Sequence, residues 1–124
     1  MPGVETSLPL MLTHAKEGRC SVSDVVKWMC AGPAKVYGIQ NKGSLIEGFD
    51  GDLTLVDLEN HRVIQDSDTW TRVGWTPYAG MELTGWPMYT IVDGNIVHKR
   101  ELGGGLRGSP VALPGSTGRV LRFK

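Results

Sequence analysis

The feature that most constrains the fold is a change in hydrophobic periodicity near Gly38. Before this glycine, apolar residues recur every three to four positions, which is the spacing of one face of an α-helix. After it, short runs of alternating and β-branched residues are separated by glycines, a pattern typical of strands and turns. The sequence therefore predicts an α+β chain with a helical segment over residues 1–38, a β-rich portion over residues 39–102 and a Gly/Pro-rich tail over residues 103–124.

Three helices are predicted in the first segment, each with an apolar face. The second has the clearest start, because Ser21 is a good N-cap and Asp24, three residues later, can complete a capping box. Gly32 is predicted to end this helix. The other predicted boundaries are Thr6 or Ser7 and Gly18 for the first helix, and Pro33 and Gly38 for the third. No predicted strand precedes these helices, so their apolar faces are expected to lack a covering partner within the chain.

The β-rich portion is predicted to consist of short strands. Asp93-Gly94 lies between Tyr89–Val92 and Asn95–His98, and an Asp-Gly pair between such runs is a strong signal for a two-residue hairpin. A loop is predicted at Val73–Gly80, where two glycines and a proline interrupt the pattern. Further strands are predicted at Ser44–Ile46, Leu53–Leu58, Arg62–Ile64 and Val120–Phe123.

Charge and hydropathy argue against two classes of partner. Lys and Arg number 13 against 13 Asp and Glu, so no net positive field would attract nucleic acid. No apolar run approaches the ~20 residues of a membrane helix, so no membrane association is expected. The N-terminus has no basic residue ahead of its apolar stretch and makes a poor signal peptide. A cytoplasmic location is therefore expected.

No constellation of catalytic or metal-binding residues is evident. His14, His61 and His98 are far apart, no HxH occurs, and Cys20 and Cys30 form no CxxC. Asp50 fits a turn better than a calcium loop, because the twelfth position counted from it is not Glu. No GxSxG or phosphate-binding glycine motif occurs. The sequence therefore predicts no catalytic residue and no metal ligand in this chain.

The four tryptophans leave two interpretations open. Trp70, Trp75 and Trp86 lie with two tyrosines in a Gly/Pro-rich stretch. They could form a stacking surface for a ligand or partner, or they could fill the gap between two packed layers. Because a stretch of this composition needs aromatic burial to become ordered, Trp75 and Trp86 are both expected to be largely buried, in the sandwich or at a subunit contact.

Three stretches resemble dihydroorotases: PGVETSLPLML, RCSVSDVVKWMCAGPAKVYGI, and GWTPYAG followed by LTGWP and TIV. The stretch GSLIEGFDGDLTLVD resembles a segment found throughout the cyclic amidohydrolases, including hydantoinases and allantoinases. Leu45 and Gly51 stand there in place of the usual Ile and Ala. The resemblance implies a family of zinc-dependent (β/α)8-barrel enzymes that hydrolyse or close the ring of dihydroorotate in pyrimidine biosynthesis.

The resemblance also implies what this chain contributes. The helical segment would be the last helices of the barrel, and the β-rich portion would be half of a composite sandwich. The metal ligands would lie upstream, so zinc would belong to the full-length family and no cofactor to this chain. Pro2 and Gly3 would neighbour the substrate loop. The chain is therefore expected to be a fragment or a truncated relative that is inactive by itself, with an allantoinase or hydantoinase as the alternative family.

Two kinds of partner follow from this interpretation. The chain is expected to form a homo-oligomer, or to bind the missing amidohydrolase portion, through the helical segment Leu8–Ile39. The alternative from a different class is a free-standing, non-catalytic binding or scaffold module. Such a module would complete or regulate a full-length dihydroorotase or an aspartate transcarbamoylase, with which the family associates.

Overall fold

The computed structural model describes residues 2–101, 108–111 and 121–122, and this part of the chain is a small α+β unit. Helices come first, as α1 (Ser7–Lys16), α2 (Val22–Val26) and α3 (Gly32–Val36). Strands follow, as β1 (Leu53–Val63), β2 (Glu82–Val92), β3 (Asn95–Lys99) and β4 (Ser109–Pro110). The order of helices and strands is the one that the change in periodicity predicts. Most of the predicted tail lies outside the described residues.

The start of α2 confirms the predicted capping box. The Ser21 hydroxyl accepts a hydrogen bond from the Asp24 N–H at 3.0 Å, and the Asp24 carboxylate accepts one from the Ser21 N–H at 2.9 Å. Hydrogen bonds from the Ser21 hydroxyl and N–H hold the pKa of Asp24 below its usual range. The α1 start is different: Thr6 is the N-cap residue, but its hydroxyl donates to the Gly3 carbonyl and caps no helical N–H.

The prediction that Gly32 ends the second helix is wrong. The helix continues through a widened turn, Lys27–Ala31, in which the Gly32 N–H donates to the carbonyl of Lys27, five residues earlier. Pro33 explains the widening, because a proline inside a helix has no N–H to donate and crowds the preceding turn. Gly32 keeps helical angles, and a Cβ on it would lie 2.7 Å from the Lys27 carbonyl oxygen. The glycine therefore permits this close approach and does not act as a helix terminator.

The four strands form one antiparallel sheet in the order β1-β2-β3-β4. The Asp93-Gly94 hairpin is confirmed, and both residues have the positive φ, 50° and 78°, that a two-residue type I′ turn requires. The loop at Val73–Gly80 is confirmed as well.

Two strand predictions need correction. The runs predicted as separate strands near Leu53 and Arg62 belong to one strand, β1, because the chain between them bulges without leaving the sheet. Ser44–Ile46 is not a strand. Its apolar side chains are exposed, and none of the four strands of the described sheet pairs with it. Of the predicted strand Val120–Phe123, only residues 121–122 are described, and they belong to no strand or helix; the Arg122 carbonyl accepts a hydrogen bond from the Gln40 N–H.

The core lies where α1 crosses β2. Its buried side chains are Ile64, Leu83 and Trp86, with Leu10 of α1 and Tyr78 packed against them. The strand β1 places three residues opposite a single one on β2, Gly85, which has a φ of +89°. Leu12 of α1 fits against this glycine, and a Cβ there would lie 2.6 Å from the Leu12 Cβ. Next to it, Thr84 N–H donates to the Thr13 hydroxyl at 2.9 Å.

The helices differ in how they are covered. The expectation that the helical segment has no covering strand is wrong for α1, because β2, although it comes later in the chain, covers it. For α2 and α3 the apolar side chains are largely exposed, and Val25 is the buried one among the described residues of these helices. We call the exposed set the helix face; it comprises Val22, Val26, Trp28, Val36 and Tyr37.

Candidate functional site

The N-terminal turn contains the two residues that the sequence places nearest to a substrate loop. Pro2 and Gly3 are half-buried, and the Gly3 carbonyl accepts hydrogen bonds from the Thr6 and Ser7 N–H groups at 3.3 and 3.0 Å. Val4 is 93% exposed, so apolar contacts hold this turn weakly. The role of Pro2 and Gly3 as neighbours of a substrate loop stays a prediction.

A long-range connection to this turn comes from Glu5, which sequence reasoning missed. Both carboxylate oxygens of Glu5 accept a hydrogen bond from the Trp70 N–H at 3.0 Å, and one also accepts from the Thr71 N–H at 3.2 Å. These partners are 65 and 66 residues away in sequence. No local pattern signals such a pair, although Glu5 lies inside the PGVET stretch that carries the family resemblance.

The loop that receives Glu5 is ordered by its own polar groups. The Asp66 carboxylate accepts from the Thr76 N–H at 2.8 Å, and the Asp68 carboxylate accepts from the Gln65 N–H at the same distance. Trp86 is buried as expected, whereas Trp75 is not buried within this chain, and its burial at a subunit contact stays a prediction. Trp86 is 3% exposed and Trp75 is 45% exposed, because backbone N–H groups that donate to the Asp66 and Asp68 carboxylates order this loop without burial of the Trp75 indole.

A second polar cluster joins the end of the helical segment to the hairpin. The Lys42 ammonium contacts the carboxylates of Asp50, at 3.1 Å, and Asp52. The other Asp52 oxygen accepts from the Asp93 N–H at 2.8 Å, and the Gly51 carbonyl accepts from the Gly94 N–H at 2.9 Å. A cleft of about 280 Å³ lies beside the cluster, lined by Lys42, both aspartates and apolar side chains of Val26, Leu45 and Leu53.

The charge state of Lys42 determines what this cluster can do. The hydrogen bond to Asp52 raises the pKa of Lys42, burial opposes the shift, and Asp50 adds to it. A lysine held as an ammonium has no lone pair, so it is unsuited to act as a base or to form a Schiff base. The cluster is therefore a clamp that fixes the turn before β1 against the hairpin tip.

Arg100 forms a third feature, close to the core. Its guanidinium lies 5.2 Å from the centroid of the Trp86 ring and donates to the Pro87 carbonyl at 2.9 Å. Burial lowers the pKa of Arg100, as does the neighbouring charge of Arg62, whereas Asp68 and Glu5 oppose the shift. The buried Nε of Arg100 has no hydrogen-bond partner among the described residues. A guanidinium stays charged at physiological pH, so Arg100 is a fixed cation near Glu5.

The remaining candidate residues are scattered. The His14 ring nitrogen lies 3.5 Å from Glu17, that of His61 lies 3.3 Å from the Glu59 carbonyl, and the His98 ring packs against Gly108. Both cysteines are free. Within residues 2–101, 108–111 and 121–122, no three His, Cys, Asp or Glu side chains are placed to share a metal ion. The residues described here therefore do not fit a zinc centre, and no chemical step of this chain is assigned to one.

Comparison with known proteins shows the family. The amidohydrolase family model matches residues 3–97, and the chain belongs to this family. The chain is similar to the dihydroorotase of Pyrococcus furiosus, with 36% identity over 122 residues. It is also similar to the L-hydantoinase of Paenarthrobacter aurescens, with 40% identity over 100 residues. The resemblance to dihydroorotases stated from the sequence motifs is thereby confirmed.

The structural comparison agrees with the sequence matches. The solved L-hydantoinase from Arthrobacter aurescens superposes with a TM-score of 0.77 at 36% identity, over 89% of this chain and 23% of that one. Coverage is just as unequal for the sequences, at 98% of this chain and 29% of the Pyrococcus protein, and at 79% and 22% for the Paenarthrobacter protein. The chain thus spans less than a third of the length of these relatives.

Helices long and apolar enough to cross a membrane do not occur in the described part of the chain.

Proposed function

We propose that the chain is the C-terminal region of a dihydroorotase-like amidohydrolase. In this proposal the 124 residues contribute barrel helices and half of a β-sandwich to an enzyme that hydrolyses a cyclic amide in pyrimidine biosynthesis. The chain would have no turnover by itself, because the metal-binding part of the fold would come from elsewhere. A cytoplasmic location and a homo-oligomeric state remain predictions.

The proposal is supported by the family match over residues 3–97, and the structural observation that supports a covering partner is the exposed helix face. Burial of a Leu, Val or Met side chain contributes roughly 1.5–3 kcal/mol, and whole domains are stable by only about 5–15 kcal/mol. Val36 is 78% exposed and Tyr37 68% exposed, and Val26 and Trp28 are about half exposed. Five exposed large apolar side chains over residues 22–37 support a role in which further protein covers some of them.

The substrate has two candidates within the family. A dihydroorotase-like ring is favoured by the Pyrococcus match, which extends over nearly the whole chain. A hydantoin-like ring is the alternative, and the 40% identity to an L-hydantoinase supports it. Both rings are cyclic amides, so the reaction class is the same in either case.

A second candidate is a non-catalytic module that docks on another protein, and the helix face favours it equally. Its partner would be a full-length dihydroorotase or an aspartate transcarbamoylase. The two proposals differ in what the chain does after binding: a completing region creates activity, whereas a regulatory module changes an activity that already exists.

The test is complementation. The purified chain, with and without added zinc, should neither hydrolyse dihydroorotate nor cyclise carbamoyl aspartate. The part of the Pyrococcus dihydroorotase that this chain does not match should gain dihydroorotate hydrolysis when the chain is fused to it or added. No gain in either format, together with a changed rate of an intact dihydroorotase or transcarbamoylase, would favour the module.

A matched pair of variants tests the contact surface. Val36→Asp places a charge on the helix face and should abolish complementation, because burial of an unpaired carboxylate is costly. Val73→Asp makes the same exchange at a loop residue that is 58% exposed, and it should complement normally. Equal complementation by the two variants would exclude the helix face as the contact surface.

A further inference from the structure

The turn formed by residues 2–6 has few long-range attachments. Its first hydrogen bonds are local, from the Thr6 and Ser7 N–H groups to the Gly3 carbonyl. Thr6 is buried, but Val4 is almost fully exposed. Within the part of the chain that the structure describes, the hydrogen bonds that join this turn to a distant segment are those of Glu5. Glu5 therefore provides the hydrogen bonds that attach this turn to the Trp70–Thr71 backbone.

The partner of that carboxylate is itself rigidly held. Trp70 and Thr71 follow Thr69, a buried residue whose hydroxyl donates to the Asp66 carbonyl at 2.9 Å. Asp66 in turn accepts the Thr76 N–H, which closes the loop on itself. A carboxylate that receives two backbone N–H groups makes charge-assisted hydrogen bonds, which are about twice as strong as neutral ones.

The charges around Glu5 favour the same geometry. Arg100 interacts attractively with both Glu5 and Asp68, and its guanidinium is fixed over the ring of the buried Trp86.

We infer that Glu5 is a positioning residue, which fixes the Pro2–Gly3 turn against the Trp70–Thr71 backbone. The inference rests on the proposed function in one respect, because the turn neighbours the substrate loop only in the completed enzyme. Glu5 itself touches no reacting group. It sets where the backbone of Pro2 and Gly3 lies, and through that turn the geometry of the substrate loop.

The first arm of the test uses the chain by itself, with hydrogen exchange read at individual amides. In Glu5→Ala, the Trp70 and Thr71 amides should exchange at least about tenfold faster, because they lose a charged acceptor. Glu5→Gln keeps one carbonyl oxygen and should give an intermediate rate. Glu17→Gln, at the far end of α1, removes a carboxylate that pairs with Arg19 and should leave both amides unchanged. Unchanged exchange in Glu5→Ala would overturn the inference.

The second arm uses the fusion to the Pyrococcus barrel portion. Glu5→Ala should lower kcat/KM for dihydroorotate at least about tenfold while the melting temperature stays close to that of the unmodified fusion, since the lost bonds lie at the surface. Glu5→Gln should recover part of the loss, which a purely structural role would not produce.

The two arms separate the two proposals. An inactive fusion with Glu5 intact contradicts the proposed function, and the exchange rates then decide by themselves whether Glu5 holds the turn. An active fusion in which Glu5→Ala is equally active contradicts the positioning role and leaves the proposed function standing.

Discussion

Replacement of Gly85 by alanine should weaken the packing of α1 against β2. Gly85 has a φ of +89°, a region that costs an L-residue about 1–2 kcal/mol. A Cβ at this position would also lie 2.6 Å from the Cβ of Leu12, and overpacking of a core typically costs about 1–3 kcal/mol. The two effects together should lower the free energy of unfolding by about 2–5 kcal/mol. This is a large share of the stability of a domain of this size.

Gly48→Ala separates the two contributions. Gly48 has the same φ, +89°, but no atom lies within 4 Å of where its Cβ would be. The free energy of unfolding of Gly48→Ala should therefore fall by only about 1–2 kcal/mol, because the substitution strains the backbone without causing a steric clash. Urea unfolding followed by circular dichroism gives both values, and unchanged m-values would show that only native-state stability has moved. If Gly85→Ala loses no more than Gly48→Ala, the contact with Leu12 does not hold α1 in place.

Three further predictions concern the helices and the aromatic residues. The pKa of Asp24 in the folded chain lies below its ordinary value of 3.8, so its ionised carboxylate should stabilise the fold above that pH. This stabilisation should disappear as the pH falls through the folded pKa. The unfolding curves of Asp24→Asn and of the unmodified chain should therefore converge in acid. Acrylamide should quench Trp75 readily and Trp86 poorly in single-tryptophan variants, and equal quenching would contradict the difference in burial. The chain by itself should self-associate at tens of micromolar through the helix face, as measured by sedimentation, and a monomer that binds no hydrophobic dye would refute this.

Local signals predicted much of the fold. The capping box at Ser21 and the Asp93-Gly94 hairpin are confirmed because each depends on residues a few positions apart. The error at Gly32 has a different origin, since a glycine can serve either a helix end or a close approach. Here Gly32 permits a close approach to the Lys27 carbonyl, because Pro33 widens the turn that precedes it.

The long-range features could not be read from the sequence. Glu5 meets Trp70 over 65 residues, and Thr13 meets Thr84 over 71, so no periodicity links either pair. The Lys42 cluster is closer in sequence, but which of several nearby aspartates would turn toward the lysine depends on the loop geometry. The family resemblance identified the sequence segments that contain Glu5 and Thr13, but it did not predict the hydrogen bonds that these residues make.

The central place of β2 has a consequence for the order in which the molecule assembles. β2 contacts α1, β1 and β3, so each other part of the core forms by docking on it. The β2–β3 hairpin closes over a two-residue turn, and such hairpins form in about 1–10 μs. A contact between α1 and β2, such as that between Thr13 and Thr84, closes a loop of about 70 residues. The conformational entropy of this loop must be lost before the contact stabilises the fold.

The hairpin should therefore belong to the folding nucleus, and α1 should dock after the main barrier. A change at the Asp93-Gly94 turn would then slow folding, whereas a change at Leu12 or Thr13 would mainly speed unfolding. The N-terminal turn is continuous with α1. Local unfolding of α1 in the native state would therefore expose this turn and the sheet face that α1 covers, at a lower free-energy cost than opening of the hairpin.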